Sequence, residues 1–259
     1  MASSPLQYNQ SDDFDAKLML QTYFSATLDK NILQDAVILP MKLLHKVFST
    51  ENISGDILID LTVGPSIYQL FPACASFKEI IILDCNDPCI KELKKWVNKD
   101  PDAHDWTFAA KIAVEEADAS GSYQDIEAMV RRKVKRIEKC DLAKENPTSP
   151  RELPKADCIL SVRMLDVVSE DNNAYRRDLR HMSSLLKDRG HLILIADIHS
   201  SFFTIGKDKY QALDYDENFL HETLNDEGYL VKSFKPIESE GSSDVYELKK
   251  TMLIVAQKQ

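Results

Sequence analysis

The chain has 259 residues, 44% hydrophobic and 29% charged, a balance that suits a globular domain with a sizeable core and disfavours disorder. Its formal charge of −10, from 32 lysines and arginines against 42 aspartates and glutamates, sets up a field that repels nucleic acid and anionic lipid. The longest apolar runs, as in EIIILDC and HLILIADI, fall far short of the roughly 18 residues of a membrane span, and the opening MASSPLQYNQSDDFD lacks the basic and apolar stretches of a secretory signal.

In chain order, residues from about 13 to 49 read as helices, with Leu18, Leu20, Tyr23 and Phe24, then Ile38, Leu39, Leu43, Leu44, Val47 and Phe48 as apolar positions. Strands are expected at 55–61, 79–85, 135–142, 155–162 and 190–198, each rich in Ile, Leu or Val and too short for a helix. Helical patterns at about 65–75, 87–99, 122–135 and 172–188 fall between them. This rhythm predicts an α/β chain with a largely parallel sheet and crossover helices. The segment 199–214, HSSFFTIGKDKYQALD, follows the fifth strand and reads as a substrate loop. A helix near 216–227 precedes two strands, about 229–236 and 246–257, expected as an antiparallel pair. No linker or repeat divides the chain, so a single domain, 1–259, is expected, with a helical cap over about 1–50.

Cys74, Cys85, Cys89, Cys140 and Cys158 are odd in number and spread along strands and strand ends, which suits buried, reduced thiols and a cytoplasmic protein. The six histidines make no metal-ligand spacing, and the basic run RRKVKR (131–136) reads as a solvated face. His199, beside the expected substrate loop, reads as a surface residue.

Four strands are expected to end in an acid, Asp60, Asp84, Asp141 and Asp197, on the rim where open α/β sheets bind ligands. Asp84 lies 20 residues beyond the turn glycine Gly64, a spacing that suits hydrogen bonds to ribose hydroxyls. Seven glycines and no Gly-x-Gly-x-x-Gly or Gly-x-x-x-x-Gly-Lys-Ser/Thr run leave no cradle for a diphosphate, so the nucleoside is expected to lack one. S-adenosylmethionine is such a ligand. Pro65 then predicts a helix whose N-terminus faces the cofactor's carboxylate.

The run GDILIDLTVGPSIYQLFPACASFKEIIILDCNDPCIKELKKWVNKDPDAHDW (55–106) closely resembles the nicotinamide, phenylethanolamine and indolethylamine N-methyltransferase family. The likeness continues through KCDL, LPKADCILSV, YRRDLRHMSSLLKDRGHLILI, SSFFTIG and LIVAQK, and is nearest the nicotinamide and indolethylamine branch; FSATLDKN to HKVF resembles amphibian-type members. It implies a class I S-adenosylmethionine-dependent methyltransferase fold with a seven-stranded, Rossmann-like sheet and a monomeric enzyme that methylates a small amine, pyridine or indolethylamine. S-adenosylhomocysteine would be the product. On the cofactor side the resemblance implies Met19, Phe24, Thr62, Val63, Gly64, Tyr68, Asp84, Cys85, Asn86, Cys89, Asp141, Leu142 and Val162. On the acceptor side it implies Arg163, Phe203, Ala212 and Asp197, with Asp197 as the catalytic polar contact; Met19 and Phe24 also face the acceptor.

Several positions depart from the family's pattern. Thr62 stands for a glycine of Asp-Ile-Gly-Ser-Gly-Pro, where a β-branched residue would disfavour a positive φ. Met19 and Phe24 replace two tyrosines, Cys89 replaces a polar residue, Ala212 a serine, and Arg163 an apolar residue. If Arg163 faces the pocket, a cationic amine is disfavoured there. An alternative function is therefore expected as well: a methyltransferase-like protein that binds a small molecule or a partner without methyl transfer.

Overall fold

In the computed structural model, residues 6–8, 14–28, 30–117, 121–237, 245–247 and 249–259 are described. Positions 13 and 29 of the expected helical region and 248 of the expected last strand lie outside them. The chain opens with α1 (Ala16–Tyr23), whose N-terminus is capped by the Asp15 side chain on Leu18 N–H. A short α2 (Lys30–Leu33), a π-helical turn Gln34–Ile38 and α3 (Leu39–Thr50) follow.

Seven strands form the main sheet: β1 (Gly55–Asp60), β2 (Phe77–Asp84), β3 (Val134–Lys139), β4 (Ala156–Val162), β5 (Leu186–Ile198), β8 (Tyr229–Ile237) and β10 (Lys250–Lys258). Their order is β3-β2-β1-β4-β5-β10-β8. The first five are parallel, while β10 runs antiparallel to both β5 and β8. The chain reverses direction across the sheet at β1, between β2 and β4, which opens a crevice beyond the strands' carboxyl ends. The strands are apolar because they lie in the core: Leu58, Ile59, Ile80, Ile159, Leu160, Leu192 and Ile193 are fully buried.

Between β1 and β2 only Leu70–Ala73 (α4) is α-helical, with a 3₁₀ turn at Cys74–Ser76, so the helix expected over 65–75 is cut short. The Ser66 carbonyl, which a helix would offer to Leu70 N–H, accepts from Gln69 Nε2 instead, and Leu70 N–H turns to Ile67. No helix starts at Pro65, so the helix N-terminus expected there for the cofactor's carboxylate is absent. Helices α5 (Asp87–Val97), α7 (Tyr123–Lys133), α9 (Asn172–Ser184) and α10 (Glu217–Asp226) start at their expected places, but residues 134–135 and 186–188, expected as helix, begin β3 and β5. Two helices were not expected: α6 (Thr107–Glu116) and α8 (Met164–Val168).

The expected substrate loop folds as a hairpin, β6 (Phe202–Ile205) with β7 (Asp208–Gln211), to which β9 (Tyr246–Glu247) adds a third strand. The strand expected at 246–257 is thus divided between two sheets. Leu6 bridges Tyr210 of β7, bringing the N-terminal segment onto this small sheet.

The basic run 131–136 is only partly a solvated face. Arg131 lies 3.8 Å over the Trp96 ring, and Lys133 Nζ donates to the carbonyls of Cys74 and Phe77 at 2.6 Å each. All five cysteines are free and buried. His199 is exposed and contacts Asp214 at 3.1 Å.

Candidate active site

The rim of β1, β4 and β5 and the small sheet enclose a cavity of about 90 Å³. It is lined by Met19, Phe24, Thr62, Val63, Tyr68 and Val162, expected at the methyl donor, and by Arg163, Asp197, Phe203 and Ala212, expected at the acceptor. Ten residues picked from distant parts of the sequence therefore share one space.

Helix α1 brings Met19 against the β1 loop. A Cβ placed on Gly64 would stand 2.5 Å from Sδ and Cε at the flexible end of Met19, which could shift, but the φ of +77° at Gly64 favours glycine there. Thr62 does not adopt a positive φ; its hydroxyl turns back to donate to Asp60 Oδ1 at 2.8 Å. Asp60 also accepts from Gln69 Nε2 at 2.9 Å, so this strand-end acid braces the loop. Burial pushes its carboxyl up to about 7.

A second cleft of about 440 Å³ opens beside β3, lined by Cys85, Asp141 and Leu142 among others. Asp141 is half-exposed and pairs with Lys144 at 3.2 Å. Asp84, Asn86 and Cys89 line neither of these two spaces and are all buried. They do not form an open wall, because Tyr8 covers them. The Tyr8 hydroxyl reaches the Asp84 carboxylate and Cys89 Sγ, and Asn86 Nδ2 donates to the Tyr8 carbonyl at 3.1 Å. Burial is again the largest cause of the rise of Asp84 to about 7, partly offset by hydrogen bonds from Asn86 N–H and Tyr8.

Do these residues suit an S-adenosyl nucleoside? Gly64 makes a close backbone bend, Asp84 offers a carboxylate that could meet vicinal hydroxyls, and Asp141 stands in an open cleft two residues beyond the end of β3 rather than on the strand as expected, because β3 stops at Lys139. Asn86 Oδ1 and Ser66 Oγ are buried without a hydrogen-bond partner, so polar capacity beside Asp84 and Gly64 is unfilled. The residues fit the group, with Tyr8 standing on the carboxylate that its ribose would need.

On the acceptor side, Arg163 begins α8 with a left-handed backbone, φ 59°. Its Nε donates to Asp197 Oδ2 at 2.8 Å, while Thr251 Oγ1 donates to Asp197 Oδ1 at 2.7 Å. Asp166 accepts from Tyr215 at 2.6 Å and from Asp197 N–H at 2.9 Å; burial first, then the charge of Asp197, pushes it up to about 7. Asp35, from the π-helical turn, also lines the cavity and accepts from Tyr246 at 3.1 Å. Tyr8, Asp35, Asp166 and Tyr246 were not picked from the sequence. Tyr8 lies in a segment without periodicity, and Asp35 inside an apolar helical pattern offered only its charge as a signal.

A mostly parallel seven-stranded sheet with a nucleoside rim and a cavity beyond it defines a class I methyltransferase fold. Solved structures agree at the level of fold: magnesium protoporphyrin IX methyltransferase from Synechocystis PCC 6803, with bound SAM, superposes with a TM-score of 0.60 at 12% identity over 100% of both chains. A glycopeptide N-methyltransferase complexed with S-adenosylmethionine gives 0.56 at 12% identity over 85% of this chain and 94% of that one.

The NNMT/PNMT/TEMT family model matches residues 5–259, and the chain belongs to that family. Human nicotinamide N-methyltransferase is 35% identical over 218 residues, 84% of this chain and 83% of that protein. Rabbit indolethylamine N-methyltransferase (Oryctolagus cuniculus) is 35% identical over 213 residues, 82% and 81% respectively. Mouse phenylethanolamine N-methyltransferase is 34% identical over 197 residues, 75% and 67%. Among the described residues no helix is long and apolar enough to cross a membrane.

Proposed function

We propose that this chain is an S-adenosylmethionine-dependent N-methyltransferase of small molecules, monomeric and cytoplasmic, with no nucleic-acid partner. The observation that carries the reading is the shared cavity: residues assigned to the methyl donor and residues assigned to the acceptor line the same space. When bound, S-adenosylmethionine supplies a methyl group on a sulfonium, open to in-line attack by a nitrogen lone pair. The chain's own part is positioning, which can supply most of the acceleration of such a displacement. Val63, Val162, Phe24 and Phe203 give the cavity apolar lining, and Asp197 holds Arg163 at its wall. Asp84, Asn86 and Cys89 are assigned to the ribose, and Asp141 with Leu142 to the adenine.

One observation supports a second reading, a protein that binds without transferring: Tyr8 and Met19 stand where the ribose and the methionine end belong. Calorimetric titration with S-adenosylmethionine and S-adenosylhomocysteine separates the two, together with methyl transfer to a panel of amines, pyridines and indoles. Micromolar binding with transfer supports the enzyme. Absence of binding at millimolar cofactor, in the wild type and in a Tyr8→Ala variant alike, overturns it.

A further inference from the structure

Arg163 is held in its unusual backbone from both sides. Its N–H donates to the Ile195 carbonyl of β5 at 2.8 Å, and its side chain, 19% exposed, is tied to Asp197. A left-handed non-glycine residue persists where its surroundings over-determine it, often at ligand sites. Here the conformation sends the guanidinium along the acceptor wall of the cavity.

The polar groups of that wall are unequally satisfied. Both oxygens of Asp197 are engaged, by Arg163 and Thr251, and both oxygens of Asp166, by Tyr215 and the Asp197 N–H. Asp35 accepts from Tyr246. A guanidinium carries five N–H donors, and among the described residues only Nε of Arg163 meets a carboxylate or carbonyl. Arg163 lines the cavity among apolar residues such as Val63, Val162 and Phe203 and polar ones, Asp35, Asp166 and Ser200; the Tyr68 hydroxyl is a hydrogen-bond partner of its side chain, which leaves terminal N–H donors over. Donors in such a place are costly without an acceptor, and a planar fork matches a carboxylate in two-point geometry. An ammonium group would meet the opposite situation. To receive it, Asp197 would have to release Arg163, leaving a buried arginine unpaired. The carboxyl of Asp166, raised to about 7, adds less than a full opposing charge near neutrality.

We propose that this chain takes as acceptor a flat nitrogen heterocycle bearing a carboxylate, gripped by the terminal nitrogens of Arg163, and discriminates against arylalkylammonium compounds. This names the substrate class of the site and rests on the methyltransferase reading above.

The test titrates the full chain, with and without saturating S-adenosylhomocysteine, using three probes: pyridine-3-carboxylate, pyridine-3-carboxamide and tryptamine. The carboxylate is expected to bind about tenfold or more tightly than the carboxamide and more tightly still than tryptamine. Arg163→Leu is expected to lose tenfold or more for the carboxylate and to gain for tryptamine. Asp197→Asn frees the guanidinium and is expected to tighten carboxylate binding several-fold, a gain that misfolding cannot imitate. Tryptamine or the carboxamide binding tightest in the wild type overturns the proposal, as does an unchanged ranking in Arg163→Leu or weaker carboxylate binding in Asp197→Asn. Carboxylate binding without any S-adenosylhomocysteine binding leaves the acceptor class standing and overturns the cofactor reading alone.

Discussion

The hydroxyl of Tyr8 lies 3.0 Å from each carboxylate oxygen of Asp84 and accepts the Gly64 N–H at 3.0 Å. One phenol thus joins the two rim groups that are proposed to hold the nucleoside. Hydrogen bonds to charged groups contribute about 1.5–3 kcal/mol, and tenfold in affinity is about 1.4 kcal/mol. Tyr8→Phe is therefore expected to lower the dissociation constant for S-adenosylhomocysteine by about tenfold in calorimetry. Weaker binding in the variant would mean that Tyr8 serves the ligand rather than competing with it.

The buried acids set the pH dependence of stability. Asp60, Asp84 and Asp166 each titrate near about 7, raised chiefly by burial. Between the unfolded value near 4 and that folded value, the native state holds protons that the unfolded chain has released, so stability falls as pH rises through this window. Above it the full deficit is present. The thermal midpoint is expected to be several degrees higher at pH 5.5 than at pH 8, since 1 kcal/mol corresponds to roughly 2–4 °C at this chain size. A midpoint that rises with pH would show these carboxylates ionised and fully compensated.

Arg131 is a structural cation. Besides its place over Trp96, its Nε donates to the Trp96 carbonyl at 3.0 Å and its Nη1 pairs with Glu127 at 2.9 Å. Arg131→Ala is expected to cost about 2 kcal/mol in urea unfolding, and Arg131→Lys to recover less than half of it, because lysine cannot stack and fork at once. Equal stability of the lysine variant and the wild type would reduce the contact to its charge.

The thiols are expected to be inert. Burial pushes Cys74 up to about 11 and also raises Cys85, Cys89, Cys140 and Cys158 above the ordinary thiol range, which suppresses the thiolate that reacts. An Ellman titration should find almost no fast-reacting thiol in the native protein and five in denaturant. Rapid reaction of any one without denaturant would locate a local opening.

The sheet was legible because its strands are apolar runs bounded by turn residues, and β1, β2 and β4 lie within a residue or two of their expected bounds. Helix α6 was missed because its buried face is made of Ala109, Ala110 and Ala113, which carry almost no hydrophobic contrast; Asp105, which accepts from Thr107 N–H just ahead of the helix, was the available signal. The false helix at 65–69 came from reading Pro65 as a start signal, when a side-chain network of Asp60, Thr62 and Gln69 fixes those residues otherwise. Ten site residues gathered in one cavity because strand ends and the family likeness marked them. Tyr8 could not be found that way: it acts across 76 residues of chain from Asp84, and no local pattern announces such a contact.

The place of β10 has a consequence for how the protein is made. It lies between β5 and β8, and β8 is joined to the main sheet only through it. A nascent chain that has emerged from the ribosome as far as Ile237 therefore holds the Leu192–Ala196 stretch of β5 as a bare apolar edge, while β8 has helix α10 beside it but lacks its pairing strand. Such an edge is a template for pairing with other chains. Synthesis must deliver Lys250–Lys258 before that edge is closed, which makes the interval between the two segments the period when this chain most needs a chaperone.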